Sequence, residues 1–155
     1  MSRAFVKELD GQEAVDELPE RLVSPYPNLV TAKGLDMINA EIARLSAAYA
    51  EAQAADDRAA LKALARDLRY WKSRQASAEL MPEPQNPKEV AFGVTVTIKR
   101  SDGRRQTYRL VGEDEADPRT GTLSYVSPLA RALMGKAIGD TVKVAGAEAE
   151  IAEIT

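Results

Sequence analysis

Val111 to Asp140 reads VGEDEADPRTGTLSYVSPLARALMGKAIGD, and this stretch decides the architecture of the second half of the chain. Leu123 to Val126 is a short apolar run that predicts a strand. Ser127 and Pro128 then open a helix. Serine is a preferred N-cap, and a proline at the first helical position gives up only an N–H that would have no partner there. Leu129, Ala130 and Leu133 form the apolar face of that helix, and Gly135 ends it.

Working outward, the hydrophobic period on both sides is two. Val94, Val96 and Ile98 alternate with Thr95, Thr97 and Lys99, which predicts a strand. Ser101-Asp102-Gly103 predicts a hairpin turn, because glycine reaches positive φ without steric cost. Thr107 to Val111 is the return strand. Thr141 to Val144 and Glu148 to Ile154 are two last strands around Gly146. The expectation for residues 90–155 is a small antiparallel sheet covered by one helix.

Residues 81–89 form a linker, since Pro82, Pro84 and Pro87 exclude both helix and ladder. Upstream the period changes to 3.5. Thr31 is a candidate N-cap, followed by Leu35, Ile38, Ile42, Leu45, Tyr49 and Ala52 at spacings of three and four. After a break at Ala54–Asp57, Leu61, Leu64, Leu68 and Trp71 repeat the pattern. Two seams of equal length joined by a tight turn predict an antiparallel coiled-coil hairpin over residues 29–80. Each arm of about 22 residues is about 33 Å long. The second arm is basic on its outer face: Arg58, Lys62, Arg66, Arg69, Lys72 and Arg74 are either a solvated face or a contact surface. Residues 1–28 read as an irregular acidic arm carrying Glu8, Asp10, Glu13, Asp16, Glu17 and Glu20. The arm is either a loose tail or a docking segment. The fold class is therefore α+β.

Composition narrows function by exclusion. The 155 residues include no cysteine and no histidine, which removes disulfides, thiol nucleophiles, Cys/His zinc sites and Ser-His-Asp triads. Any catalysis would rest on carboxylates, lysine, tyrosine or a borrowed metal, so the chain is expected not to be an enzyme. The net charge of −3 argues against autonomous high-affinity DNA binding and for a protein partner. No apolar run approaches the roughly 20 residues that span a membrane. The N-terminus lacks the apolar core of a secretory signal, so a cytoplasmic protein without a membrane partner is expected.

The stretch from Val111 to Asp140 resembles the C-terminal domain of the bacterial GreA/GreB transcript-cleavage and elongation factors. In that family a "VG-x-DE-x-D" segment precedes a short strand, and "SP-x-AR-x-L-x-GK…GD" follows. Leu29-Val30-Thr31-Ala32-Lys33-Gly34-Leu35 resembles its helix start, and Phe92-Gly93-Val94-Thr95-Val96 its first strand. The resemblance covers residues 29–155. It implies a coiled-coil finger, an FKBP-like C-terminal domain and a monomer that binds RNA polymerase at its secondary channel. Asp114, Glu115, Ser127, Pro128 and Arg131 are then the docking residues. Arg58, Lys62, Arg66 and Arg69 are the finger's contacts to polymerase or nucleic acid, with nucleic acid met only through the elongation complex. It also implies no cofactor of the chain's own, but a Mg²⁺ shared with the polymerase active centre, held with help from acids at the tip.

At that tip the chain departs from the family pattern. The family's Asp is matched by Asp57, with Asp56 adjacent, but the Glu three residues on falls on Ala60. The family's Asn and Tyr positions fall on Leu61 and Leu64. Each arm is about ten residues shorter, or about 15 Å less reach. Asp56 and Asp57 are therefore either metal-delivering acids or, in one case, a helix N-cap. The missing Glu points to a channel-occupying regulator that competes with full-length factors. Two other classes stand beside it: a prolyl isomerase, whose pocket would have only Phe92, Tyr108 and Tyr125, and a coiled-coil interaction module.

Overall fold

The protein is described here from a computed structural model that covers residues 18–155. In chain order the elements are β1 (Leu29–Val30), α1 (Ala32–Ala54), α2 (Arg58–Ser77), β2 (Glu79–Leu80), β3 (Thr95–Arg100) and β4 (Arg105–Val111). A 3-10 turn (Pro118–Thr120), β5 (Thr122–Ser124), α3 (Pro128–Leu133), β6 (Thr141–Val144) and β7 (Ala147–Ile154) follow. The fold is α+β. No helix among the described residues is long and apolar enough to cross a membrane. Of the expected acidic arm, Glu8, Asp10, Glu13, Asp16 and Glu17 lie outside the described residues; residues 18–28 are irregular.

The chain divides into two compact units, and the boundary falls inside both long helices. One unit holds Ala40–Arg74 with the described residues up to Ser24; the other holds Pro25–Asn39 and Gln75–Thr155.

In the helical unit, α1 and α2 are joined by Ala55–Asp57, where the sequence places its break. Leu45 and Ala52 are buried, while Leu61, Leu64, Leu68 and Trp71 on α2 are half-buried. A two-helix layer has one apolar contact face, so its seam cannot be enclosed on all sides. Ser46 and Tyr49 share a hollow with Ala65 and Leu68, so the helices run antiparallel about the turn.

The second unit is built on a five-stranded sheet ordered β5-β4-β3-β7-β6. Antiparallel pairing holds for β3–β4, β3–β7 and β6–β7. The expectation of a purely antiparallel sheet is corrected at one edge, where β5 pairs with β4 in parallel: Arg109↔Thr122, Leu110↔Leu123, Val111↔Ser124. A parallel pair needs the intervening chain to travel back along the strand before pairing. Residues 112–121 make that return, closed by the 3-10 turn, with Asp117 accepting from the Arg119 N–H at 3.1 Å and Gly121 at φ 82°. One face of the sheet buries Val96, Ile98, Leu110 and Ile151 with Ala130 and Leu133 of α3. On the opposite face Thr97 and Thr107 meet hydroxyl to hydroxyl at 2.9 Å.

The same unit contains a small brace that periodicity could not show. Leu29 and Val30 pair in parallel with Glu79 and Leu80, flanked by an Asn28 Nδ2 to Ser77 Oγ bond of 3.1 Å. The Thr31 hydroxyl accepts from the Gly34 N–H at 3.0 Å, which is the expected N-cap bond of α1. It also donates to the buried carboxylate of Glu115, 84 residues away in sequence. Two glycines make the approach possible. A Cβ on Gly34 would lie 2.7 Å from Glu115 Oε1, and one on Gly112 would lie 2.3 Å from the Leu29 carbonyl oxygen.

Gly112→Ala is therefore expected to destabilise by about 1–3 kcal/mol, the usual cost of overpacking a closed site. Thr31→Val should cost about 1–3 kcal/mol, because the buried Glu115 carboxylate loses a donor. Urea unfolding of both variants checks these values; wild-type midpoints would remove the brace from the stability argument.

Candidate functional site

The parallel β4–β5 pair positions the first group of candidate residues. Val111 and Ser124 are register partners, so the segments after them leave the sheet at the same end. Asp114 and Glu115 sit in the turn after β4, which closes through Glu115 N–H to Gly112 O at 3.2 Å. Tyr125 N–H donates to Val111 O at 2.9 Å, and Ser127 follows two residues later.

Ser127 caps α3 by accepting from the Ala130 N–H at 3.3 Å, with Pro128 at the first helical position. Pro128 and Arg131 are exposed and Asp114 is half-buried. Glu115 is different: it is 8% exposed and engaged by Thr31. Of the five expected docking residues, it faces inward and fixes the turn that carries Asp114.

Three aromatic contacts here have no local sequence signal. The Arg131 guanidinium lies 4.9 Å from the centre of the Tyr26 ring, and the Tyr125 hydroxyl donates to the Pro27 carbonyl. Phe92 and Tyr125 meet edge to face at 5.6 Å. In the sequence Tyr26 reads only as part of the helix-breaking Ser24–Asn28 run. Its role depends on residues about a hundred positions away, and no local pattern could carry it.

In the helical unit, Asp57 is the N-cap of α2: its Oδ1 accepts from the Ala60 N–H at 3.2 Å. Asp56 holds φ 52°, in the left-handed region that short polar side chains tolerate. Among the described residues no group of three or more acids could hold a metal ion. At the tip, Asp57 has one carboxylate oxygen engaged in the cap.

Arg58, Lys62, Arg66 and Arg69 recur at spacings of four, four and three, on one side of α2. Arg66 Nε donates to Asp67 at 3.2 Å. Arg69 donates through Nε to both carboxylate oxygens of Glu20, at 3.0 and 3.1 Å. The hydrogen bond from Arg69 holds the Glu20 carboxyl below its ordinary pKa. Arg21 forms an ion pair with Asp67 at 3.5 Å, and its guanidinium lies 3.9 Å from the Tyr70 ring centre and 5.7 Å from that of Trp71.

The comparisons with known proteins agree with one another. The family described as "Transcription elongation factor, GreA/GreB, C-term" matches residues 84–155. A transcription elongation factor GreB from Pseudomonas aeruginosa is 33% identical over 135 residues, covering 75% of this chain and 80% of that protein. A GreA from Desulfovibrio desulfuricans is 34% identical over 138 residues, covering 88% and 82%. A GreA from Hyphomonas neptunium is 55% identical over 58 residues, 37% of each chain.

The capping geometry gives a test at the tip. Asp57→Ala is expected to cost about 1 kcal/mol through loss of the cap. Asp56→Gly should be neutral or slightly stabilising, since glycine holds positive φ freely. Thermal melts of both variants decide the matter; equal losses would contradict the division of roles.

Proposed function

The chain belongs to the GreA/GreB family of transcription elongation factors, and on that premise we propose that it binds RNA polymerase and modulates elongation or transcript cleavage. The helix pair is then the family's coiled-coil finger, and the sheet unit its FKBP-like docking domain at the secondary channel. One observation carries the proposal: the parallel β4–β5 pair delivers the Asp114 turn and the Ser127–Pro128 helix start to one end of the sheet. Arg131 stands one turn further along α3. A second chain can read these groups together. In this proposal the protein is a cytoplasmic monomer and not itself an enzyme. It meets nucleic acid only inside the elongation complex, where Arg58, Lys62, Arg66 and Arg69 face polymerase or RNA.

A second reading has its own support. Asp57 spends one carboxylate oxygen on capping α2, and Ala60 stands where the family places a Glu. Mg²⁺ usually takes one or two carboxylates plus other oxygen ligands, and any Mg²⁺ at this tip would need most of its ligands from the polymerase. That favours a factor that occupies the channel and competes with full-length relatives without stimulating cleavage.

Two measurements test these proposals. Asp114→Arg and Arg131→Glu should each weaken binding to purified polymerase at least about tenfold, since each reverses a charge at the docking end. Unchanged affinity in both would remove the docking assignment. On backtracked elongation complexes, the competitor reading expects no cleavage from this protein alone and suppression of cleavage by an added cleavage-competent Gre factor. Cleavage by this protein alone that Asp57→Ala abolishes would establish metal delivery instead.

A further inference from the structure

Residues Leu18 to Val23 have no regular secondary structure, yet two consecutive side chains of this segment are bound to α2. Glu20 presents both carboxylate oxygens to Arg69, the last cation of the Arg58–Lys62–Arg66–Arg69 stripe. The Arg21 guanidinium carbon lies over the Tyr70 ring at 3.9 Å from its centre and pairs with Asp67 at 3.5 Å. The anchors are chemically distinct, a charge-assisted pair and a cation–π contact, and they hold the segment at two adjoining points. Glu20 offers the guanidinium what a phosphate would offer, and Arg21 covers the ring as a stacked base would. Five further acids, Glu8, Asp10, Glu13, Asp16 and Glu17, precede the segment in sequence.

We propose that Leu18–Val23 is an intramolecular strap that occupies the Arg69–Tyr70 end of the basic stripe and competes there with a polyanionic strand. The inference rests on the reading of that stripe as a contact surface, and it adds the chain's own regulation of access. A strand with phosphates and stacking bases displaces the strap by supplying the same two interactions in larger number. The exposed Arg69–Glu20 pair makes the strap sensitive to salt, so it is engaged most firmly where competing polyanions also bind most tightly. The strap therefore sets a threshold for occupation of the stripe.

The test uses the full chain and the double variant Glu20→Gln/Arg21→Ala, which removes both anchors and leaves the net charge unchanged. Affinity is read by anisotropy for a labelled single-stranded RNA 12-mer, and separately by competition with inorganic polyphosphate. Trp71, the single tryptophan, reports strap release through its emission. The strap predicts at least about fivefold tighter binding by the double variant to both probes at 50 mM salt, narrowing as salt rises. It also predicts that saturating RNA moves wild-type Trp71 emission to that of the double variant. Tighter binding to polyphosphate alone would keep the strap and remove the nucleic-acid reading of the stripe. Equal affinity of the two proteins for both probes would overturn the strap.

Discussion

A single hydroxyl ties the two halves of the sequence together. Thr31 uses its oxygen as the N-cap of α1 and its proton to hold the buried carboxylate of Glu115. A serine or threonine hydroxyl can do both at once because it carries one donor and two acceptor sites. The neighbouring glycines follow from that bond. Gly34 leaves room for the carboxylate, and Gly112 lets the turn approach the Leu29 carbonyl. The two-residue ladder of β1 and β2 extends the same contact along the backbone. The turn that carries Asp114 is thus fixed by residues around the start of the first helix, and the end of the sheet where Asp114 and Ser127 stand depends on them.

What was legible in the sequence was whatever residues state locally. Ser127 and Pro128 state a helix start, Gly103 a turn, and Val96 and Ile98 a strand with a buried side, each where it was expected, while Val94 is buried just before that strand begins at Thr95. Thr31 was legible as a cap but not as the partner of Glu115, because capping is a relation over three residues and the second bond spans 84. The direction of β5 was illegible for a related reason. Three residues carry no sign of which way they run, and only the path of residues 112–121 sets it. Glu115 was expected as a docking residue from the family resemblance, yet it is buried against Thr31. Its burial is stated by Gly34 and Thr31, not by its own neighbours.

The tip and the stripe show how one acid can be read in two ways. Asp57 satisfies a cap that any helix start requires, so its presence carries little information about metal. Glu20 belongs to an arm whose acidity suggested a loose tail, yet it is one half of a bidentate pair with Arg69. In both cases geometry assigns the carboxylate a partner, and the role follows from that partner.

The antiparallel course of α1 and α2 constrains how this molecule can change in length. Ser46 and Tyr49 stand opposite Ala65 and Leu68, centred on the Ala55–Asp57 turn. A residue inserted in one helix alone would slide every pair beyond it out of step and rotate the apolar face by about 100°. Lengthening or shortening keeps these pairs in step only when both helices change together, by whole helical turns that return the apolar face to the seam. The reach of the helix pair is therefore set jointly by the two helices and cannot be altered through one of them alone.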